Sequence, residues 1–170
     1  MYLKNGEEYF STKDLSIQGR MLSVEIIRSY GSREDSETPF GYGWDMNYNM
    51  KVYKTTDPNI IGMLDGENRA LRYTFVAGSE PNKYMGPASY YDFLLENEDG
   101  TYTLYKKHGT KLYFNSDGKL SKTKDRHGNS IIFTYTSGLL TKITDDLNRD
   151  IDLSYDANDK LSTVTDFESR

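Results

Sequence analysis

The feature that most constrains this chain is a short pattern that recurs about 20 residues apart near its end. Ile131, Phe133 and Tyr135 return as Ile151, Leu153 and Tyr155, and Asp125 returns as Asp145 and then as Asp166. A fixed period of this size marks a repeat protein. Each unit reads as two short strands joined by a turn. Alone it cannot bury its apolar face, so neighbouring units must pair or stack. The expected fold is therefore all-β, an antiparallel meander of short hairpin repeats forming a twisted, curved sheet. Turn signals at Asp99-Gly100, His108-Gly109, Asp117-Gly118, His127-Gly128 and Ser137-Gly138 agree, with strand-length runs between them. No 3.6-residue apolar stripe is present, so helix content should be low.

Inside the repeat one detail resists a straight strand. Leu140 and Ile143 have opposite parity, as do Leu161 and Val164. A flat strand cannot bury both on one face. A bulge just after the turn resolves this. The position held by Gly128 and Asn148 should need φ > 0, which glycine takes freely and asparagine tolerates. An earlier unit around Leu112 and Phe114 aligns at conflicting spacings and reads as degenerate.

Upstream, Asn5-Gly6 is a hairpin signal, and Leu22, Val24 and Ile26 alternate as a strand. Trp44, Met46, Tyr48, Met50 and Val52 alternate strictly, which predicts one continuous half-buried strand. Ile60–Leu64 is a short apolar piece between Pro58 and Asp65-Gly66, and the alternation over Leu71–Ala77 predicts another strand. The stretch 78–89, with Pro81, Gly86 and Pro87, reads as the longest loop. It suggests a division into an N-terminal module, 1–88, and repeats, 89–170.

Fifteen tyrosines stand out. Strand propensity accounts for most of the excess. The sharper reading makes tyrosines stacking platforms for sugars or bases, with Tyr84, Tyr90 and Tyr91, in the expected loop, as the candidate glycan-stacking rings. The charge balance of 21 basic to 26 acidic residues shows no basic stripe along the chain, which argues against nucleic acid as a partner. Absence of cysteine removes disulfides, thiolate metal sites and thiol nucleophiles. No apolar run reaches ~18 residues, so no membrane-spanning helix is expected.

Catalytic, cofactor and metal signatures are missing. Gly41-x-Gly43 lacks a third glycine and leads into a strand, so it is not a phosphate loop. The two histidines, His108 and His127, each sit in a turn, and no nucleophile elbow accompanies them. Asp156-x-Asn158-x-Lys160 breaks a calcium loop at its third position. No enzymatic role and no cofactor or metal is expected.

Tyr135-Thr-Ser-Gly-Leu-Leu-Thr-Lys-Ile-Thr-Asp145 and Tyr155-Asp-Ala-Asn-Asp-Lys-Leu-Ser-Thr-Val-Thr-Asp166 resemble the YD repeat of RHS proteins. Its positions fall on Tyr135, Gly138, Leu140 and Asp145, and on Tyr155, Leu161 and Asp166. Arg28 and Tyr30 in Ile27-Arg-Ser-Tyr-Gly-Ser32, with Gly41, Gly43 and Trp44 in Pro39-Phe-Gly-Tyr-Gly-Trp44, resemble the domain that precedes those repeats. The resemblance implies a bacterial extracellular or cell-surface protein whose repeats build a β-shell enclosing a C-terminal toxin. This chain would be the start of that shell. Its partners would be further repeats and the toxin of its own polypeptide, with cell-wall or host glycans as the alternative. It also implies that the family's self-cleavage site and toxin lie beyond this stretch. A sheet cut in mid-array would self-associate through its last edge strand, or its C-terminus would fray. No secretion signal is expected at the start of this sequence.

Overall fold

The protein is described by a computed structural model covering residues 6–170, so the hairpin expected at Asn5-Gly6 lies partly outside the described residues. Among these residues every regular element is a strand. The chain divides into two compact units that interleave in sequence. The first is Met1–Tyr48, Gly66–Asn68 and Ile131–Arg170. The second is Asn49–Asp65 and Arg69–Ser130.

In the first unit, β1 (Tyr9–Ile17), β2 (Val24–Gly31) and β5 (Trp44–Met46) form a three-stranded antiparallel sheet in the order β1-β2-β5. β3 (Glu37–Thr38) and β4 (Gly41–Tyr42) make a small ribbon. β14 (Ser130–Thr136), β15 (Leu139–Thr144), β16 (Asp150–Tyr155) and β17 (Leu161–Thr165) follow as a meander, each pairing with the next. Val24, Ile26, Met46, Ile143 and Ile151 are almost fully buried.

In the second unit, eight strands run antiparallel in sequence order: β6 (Lys51–Lys54), β7 (Ile60–Leu64), β8 (Ala70–Phe75), β9 (Lys83–Met85), β10 (Phe93–Glu96), β11 (Tyr102–Tyr105), β12 (Lys111–Phe114) and β13 (Leu120–Lys124). Period two puts Val52, Ile61, Met63, Tyr73, Tyr84, Leu94, Leu104, Leu112 and Phe114 on the buried face. Two bonds tie the start of β6 to the start of β13: the Gly118 carbonyl accepts the Val52 N–H at 2.8 Å, and the Met50 carbonyl accepts the Leu120 N–H at 3.3 Å.

The all-β antiparallel meander is the fold expected. The bulge is also where parity placed it. Between β14 and β15 the register steps from Thr134↔Lys142 to Tyr135↔Leu140, leaving Thr141 over. Between β16 and β17 it steps from Ser154↔Thr163 to Tyr155↔Leu161, leaving Ser162 over. Leu140 and Ile143 are thereby both buried.

Three expectations need correction. The unit around Leu112 and Phe114 is not degenerate, because β12 and β13 carry the same bulge, from Tyr113↔Lys122 to Phe114↔Leu120 with Ser121 over. The conflict in spacing arose upstream of that bulge, because β12, with 4 residues, is shorter than β14, with 7. The strand expected over Trp44–Val52 is broken into β5 and β6. At the break the Asn47 side chain takes over the role of the backbone ladder: its Oδ1 accepts the Ile27 N–H at 3.0 Å and its Nδ2 donates to the Glu25 carbonyl at 2.9 Å. Finally, the expected loop 78–89 contains β9, which pairs with β8 and β10.

Candidate functional site

The repeated aspartates are turn builders. Asp125, Asp145, Asp156 and Asp166 each open a five-residue turn. The N–H of the first residue donates to the carbonyl of the fifth, and the N–H of the fourth donates back to the carbonyl of the first. In all four, one carboxylate oxygen also accepts the N–H groups of the third and fifth residues at 2.8–3.0 Å. The fourth residue has positive φ in every case: Gly128 98°, Asn148 59°, Asp159 58° and Ser169 64°. Donors of this kind favour the ionised form. The Asn129 side chain chiefly holds Asp125 below the usual carboxylate range, and the backbone N–H of Lys160 and of Arg170 do the same for Asp156 and Asp166. Where the fifth residue is arginine, its Nε closes on the other oxygen, as in Arg149–Asp145 at 2.7 Å and Arg170–Asp166 at 2.9 Å.

The first unit uses these turns as docking points. Asp146 accepts the backbone N–H groups of Arg20, Met21 and Leu22 at 3.0, 2.9 and 3.2 Å. Burial raises its carboxyl, but those three bonds outweigh burial and leave it lowered. A Cβ on Gly19 would lie 2.2 Å from Asp146 Oδ1, so only glycine fits. Arg149 Nη2 donates to the Gln18 carbonyl at 2.6 Å. One turn further on, Lys160 pairs with Glu37 at 2.7 Å, and the Leu161 N–H donates to the Pro39 carbonyl at 2.8 Å. The start of β17 is therefore covered by the segment around β3.

The structure also gathers the residues of the upstream motif. Tyr30 and Phe10 pack on Trp44 with ring centroids 5.4 and 6.1 Å away, and the Arg28 guanidinium lies 5.4 Å from the same ring. Gly43, at φ 69°, lets the chain pass the Gly31 carbonyl and the Tyr30 ring, each 3.0 Å from where a Cβ would stand. Tyr155 reaches back across its unit to donate its hydroxyl to the Leu140 carbonyl at 2.7 Å. These residues all hold backbone or rings in place.

The clefts hold carboxylates that are already engaged or enclosed. One cleft of about 1190 Å³ in the second unit is lined by Lys54, Asn82, Glu96 and Asp99 among others. Its central carboxylate, Glu96, is held by Lys54 at 2.8 Å, Asn82 at 3.2 Å, Tyr84 at 3.3 Å and Tyr102 at 3.4 Å. Burial raises the Glu96 carboxyl, and these donors together bring it below its usual range. A carboxylate so committed is a weak general base. Asp92 is raised by burial, but its Oδ1 is enclosed beside Tyr73 and Gly86. A general acid needs substrate within hydrogen-bond reach.

Of the tyrosines expected to stack on glycans, Tyr84 lies in β9, 5% exposed, with its ring against Phe75 at 5.5 Å. Tyr90 and Tyr91 are exposed, and Lys107 Nζ sits 4.6 Å from the Tyr91 ring centre. The structure does not bring the three rings to one open surface.

One feature escaped the linear reading. The units differ in charge: the first has 9 basic and 17 acidic residues, the second 12 basic and 9 acidic. In the second, the face of β6–β13 opposite the core carries Lys51, Arg72, Lys83, Lys111, Lys122 and Lys124 and no carboxylate. The basic residues are scattered in sequence but gathered by strand alternation. Reading every second residue of each strand would have found them.

Residues 3–73 match the family model described as Domain of unknown function (DUF6531). Over 131 residues, 76% of this chain, the sequence is 32% identical to the tRNA nuclease WapA of Bacillus subtilis (strain 168). It is equally similar to the tRNA(Glu)-specific nuclease WapA of Bacillus subtilis subsp. natto (strain BEST195) and to the tRNA3(Ser)-specific nuclease WapA of Bacillus spizizenii. The chain spans about 5% of the length of these relatives. It is thus similar to a small segment of WapA-type proteins, with a DUF6531-like stretch in its first half.

Proposed function

We propose that this chain is a non-catalytic wall segment of a bacterial, extracellular RHS-type protein, part of a β-shell that encloses or presents a C-terminal toxic domain. One observation carries this reading. The three relatives are named for nuclease action, two of them on different tRNAs, yet this chain matches all three at the same 32% over the same length. A segment shared across different specificities is expected to serve what those proteins have in common, and the hairpin turns and bulges described above are building elements. The test is deletion of this segment from the full-length protein. Delivered toxicity should be lost while the separately expressed C-terminal domain keeps its activity. Intact toxicity after deletion, or cleavage of tRNA by the 170-residue chain alone, would overturn the proposal.

A further inference from the structure

The face of β6–β13 that points away from the core has an unusual makeup for an acidic protein. Six cations stand on it without a carboxylate. In the first unit, by contrast, Lys13, Arg28, Lys142, Arg149, Lys160 and Arg170 are each in an ion pair. None of the six in the second unit is in one among the described residues. Lys111 and Lys124 are directly opposed across β12 and β13. Like charges in that position destabilise a sheet, and here no acid offsets them.

The aromatic residues between them are already engaged. Phe93 and Tyr105 stack with centroids 4.8 Å apart and planes 7° from parallel. Lys83 caps Phe93 at 4.3 Å, Lys111 caps Tyr105 at 4.8 Å, and Lys122 lies over Tyr113 at 5.0 Å. The rings thus support the lysine stems while the ammonium ends reach the surface. Phe93 and Tyr105 are thus taken on both sides, and the exposed ring that remains on this face is Tyr53, which lies over Gly62; nucleobases, which bind single strands by stacking, find no row of platforms. Lysine presents a compact point charge, suited to phosphate without the planar, two-pronged geometry that carboxylate recognition by arginine uses.

From this charge complementarity we infer that the face docks a linear phosphodiester polymer without bases, a polyol phosphate, through its backbone charge alone. Nucleic acid would bring bases for which this face offers the single exposed ring of Tyr53.

The test is titration of the whole 170-residue chain with poly(glycerol phosphate), followed by fluorescence anisotropy of labelled polymer. With four or more phosphate contacts, affinity should fall on the order of 50-fold between about 50 and 200 mM salt. Lys83→Gln, Lys111→Gln and Lys124→Gln should each weaken binding and reduce the log–log salt slope by about 0.7. Lys111→Arg should keep both, and Lys142→Gln, on the first unit, should change neither. Circular dichroism confirms that each variant is folded. The inference is overturned by absence of binding at low salt, by Gln variants that bind like the parent, by oligo-dT or duplex DNA binding more tightly at equal phosphate number, or by capture on anionic vesicles without polymer binding.

Discussion

At the residue scale, the same turn conformation carries different constraints at different places. Gly100 and Gly118 have φ of 77° and 76°. Nothing lies within 4 Å of a Cβ built on Gly100, whereas one on Gly118 would stand 1.9 Å from the Val52 carbonyl oxygen. Gly100→Ala should therefore cost only the left-handed backbone penalty, about 1 kcal/mol. Gly118→Ala should cost on the order of 3 kcal/mol, because β6 must also shift. Urea unfolding of the two variants measures the difference, and equal costs would contradict the packing described. The bulge residues give a second case. Ser121 donates its hydroxyl to the Tyr113 carbonyl at 3.0 Å, beside the break in the ladder, and Thr141 stands in the same relation to Thr134 at 3.4 Å. Ser121→Ala should lower the stability measured by the same unfolding by about 1 kcal/mol. The positive φ at Asn148 was legible in the sequence, because an aligned glycine marks the position. The role of the aspartates was not, since their period shows where they stand and not which N–H groups they receive.

At the scale of elements, parity made the bulge legible. Two apolar residues three apart, both needing burial, leave few other solutions in a strand. The length of a single strand was less legible. Alternation from Trp44 to Val52 fits one strand, but Asn47 can replace the ladder with its own amide, and periodicity does not register that. β9 was missed because three residues between Pro81 and Pro87 carry too short a pattern. The docking of 18–22 onto the Asp145–Arg149 turn was invisible, as it joins residues more than 120 apart in sequence. Asp146→Ala removes three acceptor bonds and should destabilise by about 1–3 kcal/mol. Gly19→Ala should reproduce much of that loss, since its Cβ would collide with the same carboxylate. The double variant should then cost less than the two singles combined, because both disturb one contact. Strict additivity in a double-mutant cycle would count against the docking geometry.

At the scale of the whole molecule, the many tyrosines set an alkaline limit. Burial pushes the phenols of Tyr73 and Tyr135 far above their ordinary range and that of Tyr155 up to about 12. The folded state therefore holds these protons more tightly than the unfolded chain. Their contribution to stability is complete below the free phenol value of about 10 and is lost as pH rises through the folded values. The urea midpoint should fall steeply between about pH 10 and 12, and a midpoint that stays flat there would show that these rings are not buried as described. Fold class was legible here because one period repeats. The segregation of charge was not, since it depends on which face each strand turns to the core. The proposed role is most directly examined in the full-length protein, by the proteolytic half-life of its C-terminal domain. With this segment intact that domain should resist cleavage for as long as the repeats do. With Gly118→Ala and Asp146→Ala combined it should become cleavable at the rate of the free domain. Equal resistance in both proteins would contradict the view that these residues form part of a wall.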